Sequence, residues 1–581
     1  MKLSDYIIRY LEEYGIKDAF LLSGGGMMHL LNSIANSHKI SKYYNLNEQA
    51  TSICADAYAQ YTNKLSFCMV TTGPGATNAI TGVVSAYQDS TPMLIISGQV
   101  KTADFAPFGV RSYGPQEVDI VNIIKNNTKY AVTITDKDKI KYHLQKAIHL
   151  ATSGRKGPVW IDIPLDIQAA EIDEDRLSEY YPEDEDSVID LPLVERLVRD
   201  LEQAKRPVML FGQGVIASGA SDLARKLINT YEVPALCTWR AKELFYESNE
   251  YFFGFPGALA PRYSNFILQK SDFLLVIGSR VNFSLTAYNE ANFAPNAKKY
   301  IVDIDENEIR KLSISFEGIF NCDAKEFLTK ILSSMDSISL HTTHWVKYCK
   351  QLKQKYPICD EKTDIKSKYV YGYDFAKKLS EYSKANDVFV ASPTGRVCAA
   401  MNLGLSLRNG QRFISPMGLG SMGYALPSAI SVSIASKKRT IVFEGDGSLQ
   451  HNIQELQLIS YYKLPIKLFI YNNFGYSSIY GMQNSHFKGK LAGCNKDSGM
   501  SLPDLEKIAQ AYGLKYSLIK DTSELNEGIK NALADDIPEL IEVIGDIRYE
   551  EVPRAQTKIN KDGTIQSSKL ENLYPFIECE Y

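Results

Sequence analysis

The sequence predicts an α/β protein of three doubly wound parallel-sheet domains. Three observations carry that expectation. Short runs rich in Val, Ile, Leu and Phe alternate with amphipathic stretches about one helix long. These runs are continuously apolar, as strands covered on both faces are. Two polar segments divide the rhythm into three parts, and 581 residues suffice for three or four domains of roughly 150 each.

The runs read as strands are 67–72 (FCMVTT), 93–97 (MLIIS), 158–163 (PVWIDI), 208–212 (VMLFG), 273–278 (FLLVIG), 300–304 (YIVDI), 440–444 (TIVFE), 467–471 (KLFIY) and 539–543 (ELIEV). The acidic segment 172–189 and the polar, Lys-rich stretch around 335–368 read as linkers. The expected domains are therefore 1–172, 190–335 and 368–545, with a tail from 546 to 581.

Composition removes other classes. Lys and Arg number 64 against 68 Asp and Glu, a net charge of −4, so the basic surplus needed for nucleic acid is absent. No run approaches the roughly 20 apolar residues of a membrane span. The charged start MKLSDYIIRYLEEYGIK lacks the apolar core of a signal peptide. Nine scattered Cys, none spaced as CxxC, suggest neither a zinc site nor a disulfide framework, and a cytoplasmic location is expected. The pair His341 and His344 reads as a polar helix start, because zinc wants three or four ligands.

A weak internal repeat joins the first and third parts. Residues 69–97 run strand, TTGPGATN, helix, Pro92, strand. Residues 440–471 run strand, GDGSLQHN, helix, Pro465, strand. Each places a glycine turn at a helix N-terminus, where backbone N–H groups face an anion. Duplicated units with a site between them follow.

The sharpest signal is Gly445-Asp446-Gly447-Ser448, with Asn473 27 positions after Asp446 and Gly475-Tyr476 beyond it. In a parallel sheet two such strand ends lie side by side at the carboxyl edge. The Asp446 carboxylate, the Asn473 amide oxygen and the Gly475 carbonyl suit octahedral Mg²⁺ that also holds phosphate oxygens. A turn Asp and a turn Asn without metal is the alternative.

These residues resemble the thiamine diphosphate-dependent enzymes, in their acetolactate (acetohydroxyacid) synthase-like branch. GDG followed at this distance by NN is that family's cofactor and Mg²⁺ signature. In chain order, Asn47-Glu48-Gln49-Ala50 resembles its (H/N)EQ(A/G) segment, and Thr72–Asn78 (TGPGATN), with Gly75 and Asn78, its TGPGxxN turn. Gly114-Pro115-Gln116-Glu117 resembles the F-Q-E segment, and Gly418–Gly423 (GLGSMG) the GLGxMG segment. The resemblance extends to about residue 550.

It implies a pyrimidine-binding domain, a middle Rossmann-like domain and a diphosphate-binding domain. Glu48 would hold the cofactor's N1′. Met422 would wedge the cofactor into its bent form, and the Gly420 carbonyl would accept from the 4′-amino group. Gln116 would belong to the catalytic set, and Thr394, Gly395 and Arg396 would meet the diphosphate. Arg396 is nearly as well read as an ordinary surface residue.

The branch follows from departures. Simple decarboxylases of the family carry paired His in the first domain, and 101–125 has no His. They carry Glu six positions after the metal Asn, where this chain has Ile479. The resemblance then implies a carboligase: a 2-oxo acid donor, pyruvate first, and a second carbonyl as acceptor. Leu165, Pro115 and Met482 stand where acetohydroxyacid synthases have Lys, Phe and Trp. Together with YNNFGYSSIYGMQNSHF and the ending PFIECEY, they point to a nucleotide-linked keto sugar as acceptor. Authentic acetolactate synthesis from two 2-oxo acids is the alternative.

The middle segment could bind FAD, with Gly212, Gly214, Gly278 and Arg280 near it, though a lone GxG is weak. The resemblance also implies a homodimer or homotetramer with Glu48 and Asp446 contributed by different subunits. A catalytically dead binding protein would lack Glu48, Asp446 or Asn473, and all are present. An NAD-dependent oxidoreductase explains nothing at 445–473.

Overall fold

A computed structural model describes residues 1–107, 109–183, 189–336, 338–362, 365–559, 562 and 565–577. Its first sheet contains β1 (Asp18–Leu21), β2 (Ser41–Tyr44), β3 (Ser66–Val70), β4 (Met93–Gln99), β5 (Tyr130–Thr133) and β6 (Pro158–Pro164). Its order is β2-β1-β3-β4-β6-β5, and every pairing is parallel. The middle sheet contains β7 (Pro207–Phe211), β8 (Ala235–Cys237), β9 (Phe273–Ile277), β10 (Lys298–Val302) and β11 (Gly318–Phe320), ordered β11-β10-β9-β7-β8. The third contains β12 (Val388–Ala391), β13 (Arg412–Ile414), β14 (Thr440–Gly445), β15 (Ile466–Asn472), β16 (Lys515–Ile519) and β17 (Glu539–Ile544), ordered β13-β12-β14-β15-β17-β16.

Numbered from their own first strands, the first and third sheets share one topology, 2-1-3-4-6-5. That agrees with the sequence repeat. Strands β3, β4 and β6 are buried at every position, which explains their continuous apolar runs.

All three units meet on the helix Glu48–Thr62. Asn47 caps it, its side chain accepting from the Gln49 N–H at 2.7 Å. Its buried face is small: Cys54, Ala55 and Ala57 join one cluster with Ala425, Leu426 and Ala429 of the helix Ala425–Ser436. Small side chains let the two helices approach closely, and the Cys54 thiol donates to the Pro427 carbonyl at 3.1 Å. Enlarging Ala429 to Leu would overpack this seam, at about 1–3 kcal/mol. Further along the helix, Tyr424 of the third unit donates to Asp56, and Arg240 of the middle unit donates to Gln60 at 2.8 Å. Burial pushes the Asp56 carboxyl up to about 6.

Two segments differ from expectation. Residues 335–368 are not a bare linker. They hold the helix Thr343–Lys355, whose buried Trp345 and Cys349 belong to a core cluster of the middle unit. His341 and His344 sit exposed at its start. The tail also packs on the middle unit. Leu570 and Leu573 are buried, and Arg262, 3% exposed, donates to the Leu573 carbonyl at 2.9 Å. Residues 184–188 of the acidic segment and 578–581 of the PFIECEY ending lie outside the described residues. Among the described residues no helix is long and apolar enough to cross a membrane.

Candidate active site

Two groups of site residues form at the carboxyl edges of the first and third sheets. In the first, β3 ends at the TGPGATN turn. Gly73 there has φ +63, and a Cβ on it would stand 2.2 Å from the Gln116 carbonyl oxygen. Gln116 is itself left-handed, with φ +61, an uncommon state for a residue with a side chain. The two backbones thus interlock, bringing Gln116 to the turn. The next residue folds the loop: the Glu117 carboxylate accepts from the N–H groups of Ala106, Tyr113 and Gly114 at 2.6, 2.7 and 3.2 Å. Burial would raise its pKa, but these donors outweigh that and hold the carboxyl below its ordinary value.

Glu48 opens its helix half-buried, and its carboxylate accepts from the Asn78 amide at 3.0 Å. A Cβ on Gly75 would lie 3.4 Å from Glu48 Oε1, so the glycine keeps that side open. Glu48, Gly75, Asn78 and Gln116 are therefore gathered on one edge.

In the third sheet β14 and β15 run side by side, with Gly445 opposite Tyr471. Asp446 and Asn473 follow at their ends, as expected. Asp446 is 4% exposed; it accepts from the N–H of Gly447 at 2.7 Å and of Gly475 at 3.1 Å. Burial nevertheless pushes its carboxyl up to about 7. Asn473 is 6% exposed, and its side-chain oxygen is buried with no hydrogen-bond partner. A buried carboxylate beside an orphaned amide oxygen is a donor set that suits a hard cation. Gly475 is forced to be glycine, because a Cβ would stand 2.1 Å from the Cys494 carbonyl oxygen. Gly447 similarly lies under the Tyr476 ring, 2.3 Å from where its Cβ would be.

The GLGSMG strip reaches the same edge. Ser448 accepts from the Gly423 N–H at 2.8 Å, Gly420 has φ +66, and Met422 is half-buried. Thr394 and Gly395 open a short helix after β12, Gly395 at φ +74. Arg396 is neither a surface residue nor a free oxyanion partner. Its guanidinium pairs with Glu551 at 2.9 Å, with side chains only 14% and 7% exposed.

Residues 1–123 match the thiamine pyrophosphate enzyme N-terminal TPP binding domain, 194–331 the central domain and 393–543 the C-terminal TPP binding domain. The chain belongs to this family. The chain is 30% identical to the acetolactate synthase large subunit of Lactococcus lactis, over 93% of this chain and 92% of that one. It is 29% identical to a probable acetolactate synthase large subunit of Methanocaldococcus jannaschii, over 94% and 92%. The Corynebacterium glutamicum acetolactate synthase large subunit is 30% identical, over 93% and 86%. The protein is thus a thiamine diphosphate-dependent, acetolactate synthase-like enzyme of the carboligase kind, acting on small molecules.

Sequence reasoning missed several contacts around these residues. Gly24, Gly25 and Gly26 follow β1, and the Gly26 N–H donates to Thr71 at 3.1 Å. The three-glycine run was a visible signal. Asn452 and Glu551 gave none, since only the fold carries them to Gln49 and Arg396.

Proposed function

We propose that this enzyme decarboxylates a 2-oxo acid, pyruvate first, and joins the acyl unit to a second 2-oxo acid, a reading supported by its relatives' name, acetolactate synthase large subunit. The observation that carries this reading is the match to acetolactate synthase large subunits over nine-tenths of the chain, with both halves of the site intact. Thiamine diphosphate, when bound, supplies a nucleophilic carbon that also serves as an electron sink.

The chain's own residues supply the rest. Asp446, Asn473 and the Gly475 carbonyl would hold Mg²⁺ with the diphosphate, supported by the orphaned Asn473 oxygen. The N–H groups opening the helix at Asp446 add positive potential there. Glu48 would hold and exchange a proton at N1′, in a position fixed by Asn47 and Asn78. Met422 would fill the space beneath the cofactor, and Gln116 would face the substrate from its strained backbone. Ile479, 40% exposed, offers no proton where decarboxylase relatives carry Glu, which favours carbon–carbon bond formation over aldehyde release.

The complete site in this reading is shared between two subunits, within a dimer or a dimer of dimers. Large apolar side chains stand exposed on both units, including Leu46, Tyr113, Phe474, Met482 and Phe487.

FAD is the proposed occupant of the middle unit's cavity. The middle sheet changes direction between β7 and β9, where such folds bind ligands. Gly212 and Gly278 pack on each other there: a Cβ on Gly212 would meet the Gly278 carbonyl at 2.1 Å. Beside them lies a cavity of about 360 Å³, lined by Arg280, Gln213, Asp89 and Arg240 among others. Arg240 Nε and the Asp89 carboxylate form an ion pair at 3.6 Å there, while Gln213 Oε1 and Asp89 Oδ2 are buried without a hydrogen-bond partner, polar atoms left for a ligand.

A second reading keeps a nucleotide-linked keto sugar as acceptor, on Leu165, Pro115 and Met482 together with the 471–487 segment and the PFIECEY ending. Competition decides. With pyruvate as donor, 2-oxobutanoate and pyruvate should outcompete any keto sugar in product mass. A faster keto-sugar product would overturn the first reading.

A further inference from the structure

Among the described residues Lys242 has no ion-pair partner. It sits in the 3₁₀ segment Trp239–Leu244 of the middle unit and is 4% exposed. Its ammonium donates to the carbonyls of Asn402 and Leu405, both at 2.7 Å. Asn402 lies within the π-helical turn Ala400–Gly404 of the third unit, and Leu405 follows it. The Phe255 and Phe413 rings stand 4.8 and 5.6 Å from the nitrogen. Among the described residues no carboxylate comes within ion-pair distance of it. An ammonium has three donors, so one N–H is left over. A buried cation without an anion is costly, and carbonyls and ring faces offset that only in part.

The third donor has somewhere to point. A cavity of about 70 Å³ is lined by Lys242, Phe245, Phe252, Phe255 and Tyr263 on the middle unit and by Leu403 on the third, among others. One water needs roughly 10–15 Å³ on this measure, so there is room for about five non-hydrogen atoms. The Tyr263 phenol is 7% exposed; burial raises its pKa and keeps it a neutral donor. Glu247, Tyr263 and Cys359 also line a wider cleft of about 700 Å³, which gives the cavity an entrance. Glu247 at that entrance is already paired with Lys353, at 2.8 Å.

We propose that this cavity is a second ligand site, which binds a small aliphatic monocarboxylate with its head on Lys242 Nζ and its tail on the aromatic walls. The chemistry is complementary at both ends: one uncompensated cation with a phenol nearby, and otherwise apolar surface. Burial also lowers the Lys242 pKa to about 7, so an anion bound there would hold the proton on the ammonium. The other titratable groups facing it, Glu247 and the Cys359 thiol, are acids that carry no positive charge for the ligand.

The test uses the full chain with propanoate, its neutral counterpart propanamide, and bromide. Propanoate should raise the melting temperature saturably, and propanamide should not. Crystals soaked in bromide should show an anomalous peak beside Lys242 Nζ. Lys242→Met should abolish both effects. Glu247→Gln, at the exposed entrance, removes a repelling charge without touching the core and should tighten propanoate binding about two- to threefold. Asp446→Ala, aimed at the proposed cofactor site, should leave propanoate binding unchanged, which separates this site from the catalytic reading. Equal stabilisation by propanamide, persistence of the shift in Lys242→Met, weaker binding in Glu247→Gln, loss of binding in Asp446→Ala, or absence of bromide at Nζ would each overturn the proposal.

Discussion

Asn452 donates to the side-chain oxygen of Gln49 at 3.1 Å. The residue beside Glu48 is thereby fastened to the helix region that follows Asp446 in the same chain. The same Asn452 amide donates to the Gly423 carbonyl at 2.8 Å, closing the GLGSMG strip. One side chain thus joins three motifs that are far apart in sequence.

Losing Asn452 should cost more than losing Gln49. Asn452→Leu leaves the Gly423 carbonyl unpaired in the interior, at about 1–3 kcal/mol. Gln49→Ala removes only the half-buried end of the bond. Urea unfolding of the two variants should rank them in that order. Equal losses would mean that Asn452 acts through Gln49 alone.

Gly475→Ala should abolish cofactor binding while leaving the fold intact. The new methyl would collide with the Cys494 backbone at 2.1 Å, so the loop carrying Asn473 must move. Calorimetric titration with thiamine diphosphate and Mg²⁺ measures this. Unchanged affinity would show that the loop is not part of the cofactor site.

The Arg396–Glu551 pair should behave as a buried ion pair. Breaking it with Arg396→Met leaves a charge buried, at about 3–5 kcal/mol, whereas Arg396→Met with Glu551→Leu should recover most of that. A double-mutant cycle in urea unfolding reads the difference. Additive losses would show that the two side chains do not interact.

The parts of the fold legible in the sequence were those buried on both faces. Every run read as a strand corresponds to one in the structure, within a few residues at each end, because two-sided burial demands continuous apolar side chains. The missed strands are short, as at Ala235–Cys237 and Gly318–Phe320, or partly polar at an edge, as at Lys515–Ile519. The helix Thr343–Lys355 was hidden by its Lys-rich outer face, although Trp345 and Cys349 mark the inner one. At the site, motif residues were legible because local turns fix them. Gln49–Asn452 and Arg396–Glu551 were not, because each pair spans more than 150 residues and depends on the packed domains.

Stability should carry a pH signature from Asp162, which is 1% exposed. Burial pushes its carboxyl up to about 7, although it accepts from Ser97, Gln99 and Thr133. The folded state therefore holds a proton that the unfolded chain releases above about pH 4. This group's contribution to stability falls as pH rises from about 4 to 7, by about 1.4 kcal/mol per unit. Asp162→Asn removes that slope. Urea unfolding at pH 5 and pH 8 should show the variant gaining relative to the wild type at the higher pH. Parallel curves would rule out a buried proton on Asp162.

The central claim is that the Glu48 and Asp446 groups together form a carboligating site. The direct measurement is the mass of the product formed from ¹³C-labelled pyruvate alone, with thiamine diphosphate and Mg²⁺. Acetolactate and carbon dioxide should appear. Asp446→Ala should give neither, and Glu48→Gln should give the same product about 10²–10⁴-fold more slowly, with cofactor affinity retained. Free acetaldehyde as the main product, or undiminished turnover in Glu48→Gln, would contradict the account.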